Sequence, residues 1–173
     1  MILRPDVRFL VAHPAHFVAL GFGTGLAPIA PGTVGTLLAF PIFLGLEAGL
    51  GPLDGWPGRL AFVASIAVLF ALGVWACGRT GRDLGIADHG SMNWDEVVAF
   101  LLVLLLTPGG FTWQAVAFFL FRFFDVVKPP PIRHFDRTLK GGFGVMFDDI
   151  LAAFYALLVM AAARQLWPVV YPW

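Results

Sequence analysis

The chain has 173 residues, enough for one domain and little more. Hydrophobic residues make up 59% of it and charged residues only 13%, about half of the share that is usual in soluble domains. With a mean hydropathy of +0.84, this composition excludes an ordinary soluble domain and indicates an integral membrane protein. The formal net charge of zero, without a basic run interleaved with aromatic residues, argues against nucleic-acid binding.

The first segments in the chain are short and irregular. Residues 6–20 mix apolar and polar residues around a proline, which predicts an interfacial helix or a loosely docked arm. Its histidines, His13 and His16, are then expected to lie at the membrane interface. Residues 21–36 are dense in Gly, Pro and Thr and predict irregular backbone.

Several apolar segments follow. Thr33 or Thr36 is expected to cap a first spanning helix, at about Thr36–Leu50. Uncharged Leu60–Ala76 is the clearest spanning segment, and Ile150–Trp167 is predicted to be the last one.

Two shorter apolar segments lie between them, Val97–Leu106 and Trp113–Phe124. A helix of this length covers about 18 Å of a hydrocarbon core that is roughly 30 Å thick. Two alternatives therefore remain: the helices extend into their flanks, or they form a hairpin that does not fully cross the membrane. The fold class is all-α, a single membrane-embedded domain over residues 1–173, with about three to five embedded helices and polar loops at one face.

If the apolar segments alternate in direction across the membrane, nine of the eleven basic residues fall on one side. The positive-inside rule makes that side cytoplasmic. Segments 21–36, 78–96 and 125–149 then meet at that face. They carry most of the acidic side chains, namely Asp88, Asp95, Glu96, Asp125, Asp148 and Asp149.

Carboxylates favour a hard cation such as Mg²⁺, and cationic side chains can hold phosphate oxygens. Each acidic group also has a simpler interpretation. The pairs Asp95/Glu96 and Asp148/Asp149 fall where helices are predicted to begin, so they can offset the helix dipole. Asp125 and Lys128 can be a surface ion pair. The number of acidic residues at one face favours a functional site.

Four blocks together resemble the phosphatidylglycerophosphatase A family of bacterial membrane lipid phosphatases. They are GFGTGLAPIAPGTVGT (21–36), DHGSMNWDE (88–96), FRFFDVVKPPPIRHFD (121–136) and GGFGVMFDD (141–149). The resemblance implies Mg²⁺-dependent removal of the terminal phosphate of phosphatidylglycerol phosphate, by a multi-pass protein of the bacterial inner membrane whose site faces the cytoplasm. The chain departs from the family pattern at Asn93, Ala99 and Pro130, which puts substrate fit in question more than chemistry.

The resemblance, taken with the acidic face, gives a hypothetical mechanism in which a metal-polarised water attacks phosphorus directly. The predicted metal ligands are Asp95, Glu96, Asp125, Asp148 and Asp149, with Asp125 either a ligand or a base. Together with Lys128, the same residues are the predicted catalytic group. Predicted phosphate-binding residues are Arg122, Lys128, Arg133, Thr24, Thr33, Thr36, Asp88 and His89.

Two other functions remain open on the sequence. A small channel or transporter would use its acidic groups to carry ions or protons, but here these groups cluster at predicted helix ends. A CDP-alcohol phosphotransferase would also use acidic residues and Mg²⁺. Its DG-x-x-AR and D-x-x-x-D spacing is not found in the chain. The expected partners are the phosphatidylglycerol phosphate substrate and membrane lipids; the oligomeric state is left open.

Overall fold

The computed structural model describes residues 4–51, 53 and 55–166. The regular structure in this part of the chain is helical throughout, which confirms the all-α prediction. In chain order the elements are α1 (Val7–Ala12), α2 (Pro14–Ala19), a 3₁₀ segment (Gly21–Leu26), α3 (Pro31–Leu50), α4 (Trp56–Leu84), α5 (Trp94–Leu106), α6 (Phe111–Val127), α7 (Ile132–Thr138) and α8 (Gly141–Leu166).

Three of the described helices, α3, α4 and α8, are long and apolar enough to cross a membrane. This agrees with the predicted membrane-embedded bundle. The central element is α5, which packs against α3, α4, α6 and α8. Every residue in its first two turns is buried, and the Trp94 Nε1–H donates a hydrogen bond to the Leu69 carbonyl at 3.1 Å. The long helices are therefore arranged around a short helix whose first two turns are enclosed.

The second spanning helix is longer than the sequence predicts. The α4 helix has 29 residues and continues to Leu84, so the first part of the predicted 78–96 connector is helical. An ion pair between Arg79 and Asp83, one turn apart at 2.8 Å, supports this polar extension. Gly85 ends the helix in the left-handed conformation, and residues 85–93 form the remaining connector.

The last helix begins nine residues earlier than predicted, at Gly141 instead of Ile150. Asp148 and Asp149 consequently lie about two turns inside α8, and the prediction that they mark a helix start is wrong. The physical reason is the close packing of Gly142, whose Cα faces the α4 backbone at Val74 and Gly78. The predicted end at Trp167 lies outside the described residues.

The two short helices extend into their flanks. The α5 helix has 13 residues and the α6 helix 17, which correspond to about 20 Å and about 26 Å. At the turn between them, the Thr107 hydroxyl lies 3.8 Å from the Met160 sulfur on α8. The hairpin thus reaches deep along α8, although neither helix matches the roughly 30 Å hydrocarbon core by length.

Helix α3 begins with Pro31 after Ala30, which adopts the left-handed conformation at φ 48°. The prediction that Thr33 or Thr36 caps this helix is wrong. Both residues lie inside it, because Pro31 is already suited to the first helical position. The Thr36 hydroxyl instead donates to the Gly32 carbonyl at 3.0 Å.

The N-terminal arm, α1 and α2, is docked onto the end of α4. His16 is buried, so its predicted place at the interface is wrong. Its Nε2 lies 2.8 Å from the Asp83 carboxylate and its Nδ1 2.9 Å from the Phe9 carbonyl. The ring also stacks on Phe9, with a centroid distance of 3.9 Å. These contacts, rather than the membrane interface, hold His16 in place.

The close approach of α4 and α8 generates a test. A methyl group at Gly142 would collide with the Val74 carbonyl, so Gly142→Ala should force the helices apart. We expect a loss of about 1–3 kcal/mol in unfolding free energy, the usual cost of overpacking, measured as a lower Tm in detergent. Gly45→Ala on α3 is the control, because a methyl group there meets nothing. Equal Tm values for the two variants would contradict this packing.

Candidate active site

The polar ends of five helices meet at one end of the bundle. The Asn93 side chain, just before α5, donates to the Pro31 carbonyl at the start of α3 at 2.8 Å. Arg122 of α6 reaches Glu96 of α5 at 3.4 Å. Asp149 of α8 also lies close to Asp95 and Glu96. The 21–36, 78–96 and 125–149 segments, which are distant in the chain, therefore meet at this end.

Three buried carboxylates form the centre of this region. Asp95 and Glu96 lie in the first turn of α5, and Asp149 lies on α8. One oxygen from each lies within 4.8 Å of the others. Asp95 Oδ1, Glu96 Oε2 and Asp149 Oδ2 are buried without a hydrogen-bond partner among the described residues. We call these three residues the carboxylate centre.

Arg122 and Asp125 border the carboxylate centre from α6. They are one turn apart, with Arg122 Nη1 at 2.6 Å from Asp125 Oδ2. The same nitrogen lies 3.4 Å from Glu96 and 3.4 Å from the Thr36 hydroxyl. Asp125 also interacts electrostatically with Asp149. Arg122, Asp125 and Thr36 thus extend the carboxylate centre, and we call these three residues together with the carboxylate centre the polar cluster.

Lys128 links three elements at the edge of the site. It ends α6 in the left-handed conformation, at φ 45°. Its ammonium group contacts Asp136 of α7 at 2.8 Å and also contacts Asp148 of α8. Burial acts to lower the pKa of Lys128, but the charge of Asp148 and the hydrogen bonds that Lys128 donates to Asp136 and Asp148 outweigh it and raise the pKa. Lys128 is thus a fixed positive charge.

These contacts correct the simpler interpretations of the acidic residues. Asp125 pairs with Arg122, and Lys128 pairs with Asp136 and Asp148, so Asp125 and Lys128 do not form a surface ion pair. Asp95 and Glu96 do lie in a first helical turn, as predicted. Their burial beside Asp149 nevertheless goes beyond what offsetting a helix dipole requires.

Two of the predicted phosphate-binding residues have structural partners elsewhere. The Thr24 hydroxyl donates to the Gly21 carbonyl at 2.8 Å and accepts from the Asn93 amide at 3.0 Å. Exposed Arg133 donates to the Val127 carbonyl at 3.3 Å. These contacts hold loops and helix ends together and leave both side chains outside the carboxylate centre.

Three further predicted phosphate-binding residues lie near the site without touching the carboxylate centre in the described contacts. The His89 ring accepts a hydrogen bond from the Ser91 amide at 3.1 Å, within its own loop. Thr33 is partly buried in the first turn of α3. Asp88 lines a cleft of about 370 Å³ together with Asp136 and Lys140. Of the predicted phosphate-binding residues, Arg122 and Thr36 belong to the polar cluster, and Lys128 contacts Asp148, the neighbour of Asp149.

Sequence reasoning missed two residues that shape this region. Asn93 was noted only as a departure from the family pattern, yet its fully buried side chain joins the 3₁₀ segment to α3. Gly32 lets the α3 backbone pass directly beside Glu96 and Arg122, where a side chain would collide. A buried amide is detectable from its flanking apolar run, but nothing in the sequence reveals the close approach at Gly32.

The carboxylate centre fits a divalent cation. Three ionised carboxylates this close repel one another unless a positive charge lies between or beside them. Arg122 contacts only one of the three, Glu96, in the described contacts. The unpartnered oxygens supply all-oxygen coordination, which suits Mg²⁺. Asp95, Glu96 and Asp149 can therefore hold such an ion, with Asp125 adjacent.

The chain matches one protein family model and several known proteins. The family model described as Phosphatidylglycerophosphatase A matches residues 17–164. The chain is 43% identical to Phosphatidylglycerophosphatase A of Haemophilus influenzae, over 93% of this chain and 95% of that protein. It is 37% identical to Phosphatidylglycerophosphatase A of Escherichia coli strain K12, over 93% of this chain and 90% of that protein.

A third relative has a different name. The chain is 38% identical to a putative phosphatidylinositol-3-phosphatase of Bacteroides thetaiotaomicron, over 85% of this chain and 91% of that protein. No solved structure matches the chain at a significant level. The family match covers all of the carboxylate centre, as well as Arg122 and Lys128. The chain therefore belongs to the phosphatidylglycerophosphatase A family of membrane phosphatases.

Proposed function

We propose that this protein hydrolyses the terminal phosphomonoester of phosphatidylglycerol phosphate, giving phosphatidylglycerol and phosphate. The observation that carries the proposal is the carboxylate centre, three buried carboxylates that converge beside Arg122. Two relatives that cover almost the whole chain are named for this activity. Membership of a phosphatase family also displaces the channel, transporter and phosphotransferase alternatives.

In this proposal Asp95, Glu96 and Asp149 would hold Mg²⁺, with Asp125 and Asp148 as neighbouring carboxylates. When bound there, Mg²⁺ supplies Lewis-acid neutralisation of the charge on the phosphoryl group. The helices keep the ligands in place without substrate, since the two α5 residues sit in one turn and Asp149 is held by the packing of α8 on α5. Such preorganisation limits the reorganisation needed during the reaction.

Arg122 is the proposed phosphate-binding residue. A guanidinium presents several N–H donors in a plane and can bind two phosphate oxygens at once. Asp125, Glu96 and Thr36 hold it in orientation on the side of the carboxylate centre. Lys128 adds a second positive charge and positions Asp148, whose other oxygen is buried without a partner in the described structure.

Asp125 is the candidate general base. It lies beside both Asp149 and Arg122, so it can accept a proton from a water molecule placed next to the bound phosphate. The water oxygen forms its bond to phosphorus as the bond to the glycerol oxygen breaks, and the proton taken up by Asp125 is returned to that oxygen to give the alcohol product. Among the described residues, Asp125 is the carboxylate outside the carboxylate centre that contacts Arg122.

The positive-inside rule supports a cytoplasmic site in a bacterial inner membrane. Arg79, Arg82, Lys128 and Arg137 lie at or beyond the end of the bundle that carries the carboxylate centre. The opposite end carries Arg59 and Arg164. This asymmetry favours the polar end facing the cytoplasm.

The Bacteroides relative supports a second candidate substrate class, a phosphoinositide. Both candidates are phosphomonoesters on a lipid headgroup, so the carboxylate centre suits either. Rates of phosphate release from phosphatidylglycerol phosphate and phosphatidylinositol 3-phosphate, measured side by side in mixed micelles, decide between them.

The acidic residues give the first test. Asp95→Asn, Asp125→Asn and Asp149→Asn should each lower kcat for phosphatidylglycerol phosphate by about 10²-fold or more, the range that acid–base and metal-binding groups contribute. Phosphate release in detergent, with and without Mg²⁺, measures this. Asp6→Asn is the matched control, because Asp6 only caps α1 and is exposed. Near-normal rates in all three site variants, or full wild-type activity without divalent cations, would contradict the proposed site.

Metal binding can be tested without turnover. Saturating Mg²⁺ should raise the Tm of the wild-type protein by about 5–10 °C, as expected from binding at about 100 times Kd in a chain of this length. Asp149→Asn should remove most of this shift by deleting a buried ligand, and Asp6→Asn should keep it. An unchanged wild-type Tm across a Mg²⁺ titration would argue against a metal at the carboxylate centre.

The close approach at Gly32 gives a further test. A methyl group there would collide with the Glu96 carboxylate and crowd Arg122, so Gly32→Ala should displace both groups. We expect kcat to fall by about 10-fold to 10²-fold, the cost of misplacing a positioned group by about 1 Å. Gly45→Ala makes the same change on the same helix in open space and should keep full activity. Equal activity of the two variants would show that α3 does not constrain the site.

A further inference from the structure

A groove of about 400 Å³ runs along the outside of the bundle between α3 and α6. Both helices pack on α5 and leave the space between them open. The α3 wall consists of Leu37 and Phe40, and the α6 wall includes Phe111, Ala115, Phe118 and Phe119. Almost the whole lining is apolar.

Phe100 of α5 forms a buried floor beneath the groove, under the residues that line it. Its side chain is fully buried, and its ring centroid lies 5.4 Å from that of Phe40 and 5.8 Å from that of Phe118. Both contacts are edge-to-face, a favourable arrangement for aromatic rings. The two walls and the floor therefore share one packed aromatic layer.

This aromatic layer lies directly beneath the polar cluster. On each of the three helices, the aromatic residue is four positions, about one turn, from a side chain of the cluster. The pairs are Phe40 with Thr36, Phe100 with Glu96, and Phe118 with Arg122. Because Arg122 contacts both Thr36 and Glu96, the polar side chains form a layer of their own at the end of the groove.

The groove opens sideways to the surroundings of the bundle. Leu37 is 50% exposed, Phe119 71% and Phe111 87%. Along α6, the lining residues run from Phe111 to Phe119, a distance of about 12 Å, and Arg122 follows about one turn after Phe119. In a membrane-embedded bundle, an apolar surface of this kind faces hydrocarbon and not water.

We infer that this groove binds one acyl chain of the lipid substrate, and that it thereby places the phosphate of the same molecule at Arg122. The inference rests on the proposed function. Its support is the distance between the groove and the polar side chains: the lining ends at Phe119, about one turn before Arg122 on the same helix. A single molecule with an apolar chain and an anionic headgroup matches an apolar groove that lies one turn from a guanidinium. The occupant is thus a glycerolipid phosphomonoester.

The groove positions the headgroup of the bound lipid and adds little to the affinity of the protein for that lipid. Acyl chains in the bilayer are as apolar as the groove, so moving a chain from one to the other releases little free energy. A chain fixed in the groove nevertheless restricts where its headgroup lies. Since displacement of a reacting group by about 1 Å can cost about 10²-fold in rate, the expected effect is on kcat.

The experiment fills the groove and varies the acyl chain. Ala115→Trp places a large ring about 10 Å along α6 from Arg122. We expect kcat for the long-chain lipid to fall by about 10²-fold. The rate for a short-chain form of the same lipid, whose chains end before Ala115, should stay at the wild-type level. Leu37→Trp fills the groove from the opposite, exposed wall and should act in the same way.

Ala64→Trp on the exposed side of α4 is the matched control and should leave both rates unchanged. Equal losses on long-chain and short-chain lipids in folded Ala115→Trp and Leu37→Trp proteins would overturn the inference, and so would unchanged rates on both. If the wild-type protein releases phosphate from neither lipid, the proposed function fails instead.

Discussion

The burial of carboxylates against one another is the constraint on which the rest of this structure depends. Removing ionised groups from water costs several kcal/mol each, and the cost is recovered only with closely placed opposite charges. Arg122 and Lys128 provide such charges from the end of α6, and each is itself held by carboxylates from other helices. The position of the α5–α6 hairpin follows from this constraint, because the hairpin carries Asp95, Glu96 and the guanidinium that contacts Glu96.

The general fold is predictable from composition and the lengths of the apolar segments, but the helix ends are not. Gly141 and Gly142 predict a turn by intrinsic propensity, since glycine weakens an isolated helix. In the folded chain α8 already includes both, because Gly142 allows close contact with α4. The polar end of α4 is helical for a similar reason, since Asp83 is shared by Arg79 and His16. The contacts of His16 with Asp83 and of Gly142 with Val74 join residues that are far apart in the chain.

The acidic residues of the site are also predictable, through their number and through the motifs that carry them. Their partners are not, because spacing of three along the chain suggests Asp125 with Lys128, whereas the fold pairs Asp125 with Arg122 and Lys128 with Asp148. Thr24 and Arg133 show the same limit. Residue type made them candidates for binding phosphate, but their contacts are with backbone and side-chain groups outside the carboxylate centre.

The depth of Asp149 within α8 has a consequence for how reactants and products travel. Its position eight residues after Gly141 places it about 12 Å along the helix from that end. Water and inorganic phosphate have to pass along the polar end of the bundle, whereas a molecule with hydrocarbon tails can arrive and leave laterally between α3 and α6. Under the proposed function, the two products of one turnover would therefore separate into different phases, so that neither obstructs the departure of the other.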